Sequence, residues 1–203
     1  MELRQRRIFG RSEIQQLLAA WVILGFCFSV SRILEDWRIF PVALLTLGLG
    51  FIFHELSHKF TAQKFGCLAE FRLWWWGLIL ALVLAVASGG RVIFAAPGAV
   101  YIFPFRLSSW GYGITRRENG LISIAGPAAN IAIALLFLSL SYHGGIMGVI
   151  GYNGFMINLW LAAFNMLPFS PLDGGKVLSW NPIIWALVAI PLWIFMFQPF
   201  LFF

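Results

Sequence analysis

The sequence predicts an all-α polytopic membrane protein with about five transmembrane helices, a short re-entrant segment and a small membrane-associated β region. Three observations carry that expectation. Of the residues, 61% are hydrophobic and only 11% are charged, too few for the solvated surface of a soluble domain. The apolar residues gather into runs, most of them close to the roughly 20 residues that a helix needs to cross a bilayer. Gly, Pro or charged residues separate those runs. The whole chain, 1–203, reads as a single membrane domain.

A first span is expected at 14–34. Arg4, Arg6, Arg7 and Arg11 precede it, as in a signal peptide, but the run is too long for a cleavable h-region and is read as a retained helix. A second span covers 40–64. The third run, 77–89, has only 13 residues, which favours a re-entrant segment over a crossing. Trp74, Trp75 and Trp76 stand before it and suit an aromatic belt at the headgroup level. Segment 91–120 mixes β-branched and aromatic residues with Gly and Pro and reads as short strands and turns, with 99–102 the best strand candidate. Spans follow at 121–142, 146–167 and 182–203, the last kinked at Pro191. Cys27 falls in the first span and Cys67 in a loop. Their spacing suits neither a disulfide framework nor a thiolate metal site.

The net charge of +6 does not indicate nucleic acid, because Lys and Arg are scattered between apolar runs. Membrane topology accounts for them better. With five spans and an inside N-terminus, only Arg32 and Arg38 of the 14 basic residues lie outside. If 77–89 also crossed, Arg91, Arg106, Arg116, Arg117 and Lys176 would join them. The chain is therefore expected in the cell membrane as a multi-pass protein whose N-terminus faces the cytoplasm.

Within the second span stands His54-Glu55-Leu56-Ser57-His58, the H-E-x-x-H pattern. On a helix, positions i and i+4 share a face, so both imidazoles can reach one zinc ion while Glu55 stands beside it to take a proton from water. Ionisable residues inside a span each cost roughly 2.5–3.5 kcal/mol on insertion scales, and a bound metal would offset three within five residues. A catalytic zinc needs a third protein ligand. Lys64 occupies the position where a metzincin carries its third His, and His143 falls in a short connection. The downstream carboxylates are Glu70, Glu118 and Asp173. Asp173 follows a Pro- and Gly-broken stretch, and broken backbone at membrane depth is tolerated where it lines a cavity.

The H-E-x-x-H within a span, the Gly126-Pro127-Ala128-Ala129-Asn130 run and the N-x-x-P-x-x-x-x-D-G-G run from Asn165 to Gly175 together resemble the site-2 protease family of intramembrane zinc metalloproteases. The likeness covers about residues 40–176. It implies one zinc per chain held by His54, His58 and Asp173, with Glu55 as general base, and it suggests that Asn165 and Asn130 serve substrate docking or the oxyanion. It further implies regulated cleavage of membrane-anchored proteins, with single-span membrane proteins in the lipid bilayer as the expected partners, while five spans from an inside N-terminus put the active site toward the cytoplasm. Five spans agree with this, since the second span and the span ending near Leu167 then both run inward and bring their motifs to similar depth. The alternative is a non-proteolytic metal-binding or metal-transporting membrane protein, but spans one, three and five carry almost no ionisable groups. A membrane endopeptidase of the prenyl-protein type would take a later Glu as third ligand, and no Glu follows Glu118.

Overall fold

The computed structural model describes residues 10–104, 107–108 and 111–201. The basic start with Arg4, Arg6 and Arg7, Arg106, and the last two residues of the expected 182–203 span lie outside them. The architecture is all-α and polytopic, with a small sheet inserted after the second helix. Helices α1 (Arg11–Ser29), α2 (Ile39–Lys64), α4 (Arg116–Ser141) and α5 (Gly145–Asn165) are long and apolar enough to cross a membrane. Between them come α3 (Trp75–Ala87) and the strands β1 (Cys67–Leu73), β2 (Gly98–Pro104), β3 (Leu107–Ser108) and β4 (Gly111–Tyr112). The short α6 (Asp173–Trp180) and the apolar α7 (Pro182–Leu201) close the chain. The protein is an integral membrane protein.

Close helix approach replaces the hydrophobic drive that lipid cannot supply. At the α1–α2 crossing, Gly25 lies against Leu44 and Gly48 against Trp21, whose Nε1 donates to the Leu44 carbonyl at 2.7 Å. α4 and α5 form an antiparallel hairpin through a short turn that carries the exposed His143. Two apolar clusters result. One joins α1, α2 and α3 through Leu24, Leu47 and Ala81; the other joins α4, α6 and α7 through Ala134, Val177 and Leu192. α5 feeds both, with Leu161 in the first and Ala162 in the second.

Several boundaries differ from the sequence expectation. α1 begins at Arg11 and ends at Ser29, and turns occupy the part of 14–34 beyond it. Glu13, expected ahead of the membrane, is therefore inside a helix, where Lys59 Nζ reaches its two carboxylate oxygens at 2.6 and 2.7 Å. An apolar window hides such a residue because its partner lies 46 positions away. The strand expected at 99–102 is the middle of β2, and its partner β1 begins at Cys67, where the sequence suggests a loop. Residues 116–120 are helical instead of extended. Thr115 Oγ1 accepts from Glu118 N at 3.1 Å and Glu118 Oε2 accepts from Thr115 N at 2.8 Å, a capping box that starts α4. The expected 77–89 run is helical as far as Ala87, and α3, which already includes Trp75 and Trp76, is 13 residues long, or roughly 20 Å against a core of about 30 Å. Trp74, Trp75 and Trp76 are exposed.

The sheet has two unlike edges. On β1, the Phe71 N–H donates to Glu13 Oε1 at 3.0 Å and the Leu73 N–H to Gln16 Oε1 at 2.8 Å, so α1 caps that edge with side chains. Antiparallel alternation then turns the backbone groups of Ile102, Val100 and Gly98, opposite Ala69, Phe71 and Leu73, toward the other side. That side borders a cleft.

Candidate metal centre

α2 has one polar stripe. Thr46, Gly50, His54 and His58 recur every fourth residue and so share a face. α4 packs on that face at Gly126, where an added Cβ would strike His58 Nε2 and the His54 ring. The third contributor arrives from α6. Gly174 lies so close to the Met166 and Leu167 carbonyls that no side chain fits, and this tight turn sets Asp173, the first residue of α6, against the two imidazoles.

His54 Nε2 and His58 Nε2 are 3.0 Å apart, and Asp173 Oδ2 lies 3.3 Å from the first and 3.1 Å from the second. All three residues are buried, and one ligand atom from each lies within 4.8 Å of the others. The other ring nitrogens fix the chemistry of this convergence. His58 Nδ1 is 2.8 Å from the Ile122 carbonyl, which can only accept, so Nδ1 carries a proton and the neutral ring has its lone pair on Nε2. His54 Nδ1 meets Asn130 Oδ1 at 2.6 Å and is placed the same way. With both rings neutral, two lone pairs and a carboxylate oxygen face one another at close to 3 Å, a repulsive arrangement unless a proton or a metal cation lies between them. Two imidazoles and a carboxylate are also the nitrogen and oxygen ligands that zinc accepts in catalytic sites. The residues fit the ion that the sequence implies.

A cleft of about 270 Å³ opens onto this group. Glu55 lines it, and Glu55 Oε2 is buried with no protein hydrogen-bond partner among the described residues. Across from the helices, residues 95–102 form one wall. Asn165 also lines the cleft, and its amide donates to the Leu161 carbonyl at 3.0 Å. Asn130 stands elsewhere. It is fully buried behind His54 and does not reach the cleft wall. Lys176 Nζ comes within 3.7 Å of Asp173 Oδ1 on the side away from the shared oxygen. His143 is exposed and remote from the cluster.

Sequence reasoning passed over Asn158, which is fully buried on α5 and bonded to Asn130. A buried amide in an apolar span was the available signal. The Glu13–Lys59 pair was missed as well, though Lys59 directly follows His58.

An H-E-x-x-H helix inside a polytopic membrane fold, completed by a downstream acid, defines a membrane zinc metalloprotease. The chain belongs to the site-2 protease family of such enzymes. It is 44% identical over 187 residues, 91% of this chain and 92% of the other, to the "Putative zinc metalloprotease MJ0611" of Methanocaldococcus jannaschii. The "Zinc metalloprotease MJ0392" of the same organism is 26% identical over 77% of this chain and 38% of its own length. A Bacillus subtilis relative, "Putative zinc metalloprotease YwhC", is 28% identical over 70% of this chain and 69% of its own. No family model and no solved structure matches the chain.

Proposed function

We propose that this zinc metalloprotease cleaves single-span membrane proteins within or at the edge of the bilayer, using one zinc held by His54, His58 and Asp173. The observation that carries the reading is the buried convergence of Asp173 on two imidazoles of a helix apolar enough to cross a membrane, with a Glu55 oxygen that has no partner among the described residues lining the same cleft. Zinc, when bound, supplies Lewis-acid polarisation of the scissile carbonyl and of a water. Glu55 accepts the proton of the attacking water and returns it to the leaving amine. Asn165, on the cleft wall, donates to the substrate carbonyl or docks its backbone.

A transmembrane substrate must unwind before its carbonyls can be reached, because helical hydrogen bonds shield them. Unwound backbone then needs new partners. The outward groups of Gly98, Val100 and Ile102 offer them along the cleft, so the substrate adds to β2 as a further strand. The site faces the cytoplasm, since the basic segments flanking it belong on the inner side.

The test is purification, a count of zinc per chain, and incubation with a panel of single-span membrane proteins bearing helix-weakening residues at graded depth. One zinc per chain and cuts near those residues are expected. Zinc binding without cleavage of any member would favour the carrier reading.

A further inference from the structure

We propose that Asn158 is a positioning residue that sets the ring tautomer of His54 through Asn130, so that Nε2 is kept as the electron-pair donor. The inference rests on the reading of His54 as a zinc ligand. Its basis is a chain of amides whose orientation is fixed at one end by backbone carbonyls. Asn158 Nδ2 donates to the Gly154 carbonyl at 2.8 Å and to the Thr46 carbonyl at 3.3 Å. A carbonyl cannot donate, so the amide nitrogen of Asn158 must lie on that side and its oxygen must face Asn130. Asn130 Nδ2 then donates to Asn158 Oδ1 and to the Gly50 carbonyl, both at 3.1 Å. Both Asn130 protons are thereby used, and its oxygen is left for His54 Nδ1 at 2.6 Å. An oxygen with no proton requires one on the ring nitrogen it meets.

The arrangement has no spare room. Asn130 and Asn158 are fully buried, and a Cβ on Gly50 would strike Asn158 Oδ1 and crowd Asn130 Nδ2. His54 and Gly50 are one helical turn apart, as are Gly50 and Thr46, so α2 supplies the two carbonyls and the imidazole along one stripe. His58 reaches the same tautomer by a shorter route, directly from the Ile122 carbonyl. His54 has an amide where His58 has a carbonyl. An amide can present either end, and two acceptors choose for it together, the Gly50 carbonyl and Asn158 Oδ1.

Replacing Asn158 by Leu keeps the bulk and removes the acceptor that holds the Asn130 amino group. Asn130 is then held by the Gly50 carbonyl alone, one bond in place of two against the flip that turns its NH₂ toward His54 and favours the Nε2–H ring. Partners of this type on metal-binding histidines are worth about 10- to 100-fold in metal affinity. The experiment uses full-length protein in detergent. Zinc affinity is measured by competition with a chelator, and the ring nitrogens of the zinc-free protein are read by ¹⁵N NMR, a spectrum simplified by the presence of only three histidines. Expected for Asn158→Leu are a 10- to 100-fold loss of affinity and a shift of His54 from Nδ1–H toward Nε2–H, with His58 unmoved. Asn153→Leu, a half-buried amide on the same helix that bonds the Val149 carbonyl, should change neither.

An unchanged tautomer overturns the proposal, even if affinity falls, because the loss would then be structural. Unchanged affinity overturns it too. Should Asn158→Leu fail to fold, Asn158→Ala withdraws the acceptor without added bulk and carries the same expectations. His54→Ala separates the two levels of the argument. If it leaves zinc affinity intact, the ligand assignment fails; if it abolishes binding while Asn158→Leu has no effect, only the present inference fails.

Discussion

Glu55 and Gly126 divide the chemistry of the site from its geometry. Glu55→Gln removes the base but none of the three converging acceptors, so zinc content should stay at the wild-type level while hydrolysis falls by about 100-fold or more. Metal analysis and single-turnover cleavage on the same preparation check both halves, and loss of zinc in this variant would remove Glu55 from the role of base alone. Gly126→Ala should do the opposite. Its Cβ must displace His58 Nε2 or the His54 ring, so zinc affinity should drop although no ligand is removed. At this scale the H-E-x-x-H spacing made His54, Glu55 and His58 legible in the sequence, because their partners are one helical turn away. Asp173 was legible through the break in the chain beside it. Asn158 was not, since its meaning depends on Asn130 and Thr46, which lie 28 and 112 residues distant.

Among the elements, β1 holds its place through α1. The Glu13 carboxylate accepts from Lys59 and from the Phe71 N–H, tying the first helix, the metal-binding helix and the sheet together at one point. Lys59→Met leaves that buried carboxylate without its cation and should cost about 3–5 kcal/mol in unfolding from mixed micelles. Glu13→Gln combined with Lys59→Met should recover most of the loss, because the amide can still accept from Phe71 N–H with no charge to bury. A double variant as unstable as Lys59→Met would show that the charge itself is not what destabilises. The helices were legible because apolar runs near 20 residues have few other readings. The β1–β2 pair was half legible: β2 showed its β-branched pattern, whereas β1, with Glu70 and Arg72 in its middle, resembles a polar loop until its partner is known. The start of α4 was written in the Thr115–Glu118 spacing and was outweighed by the extended character of the residues before it.

For the whole molecule, orientation turns on α3. If its 13 residues dip into the membrane and return, the loop after β2 shares a side with the metal group and the α4–α5 turn lies on the other. In a Cys-free background, a single cysteine at Ser108 should then react with impermeant thiol reagents from the cytoplasmic face alone, and one at Gly145 from the outer face alone. The reverse pattern would exclude five spans and any metal shared by α2 and α6.

The two apolar clusters give the metal group a further role. His54 and His58 belong to a helix anchored in the first cluster by Leu47 and Phe51, and Asp173 to a helix anchored in the second by Val177. An ion held by all three is a clasp across the seam between two half-cores. Mass action turns occupancy into rigidity, worth about 4 kcal/mol when free zinc exceeds its dissociation constant a thousandfold. Chelation should accordingly lower the melting temperature and increase hydrogen exchange first at the α6 end of the seam. Because that stabilisation grows with the logarithm of free zinc, the metal supply of the cell would set how readily each copy unfolds as well as whether it can cut.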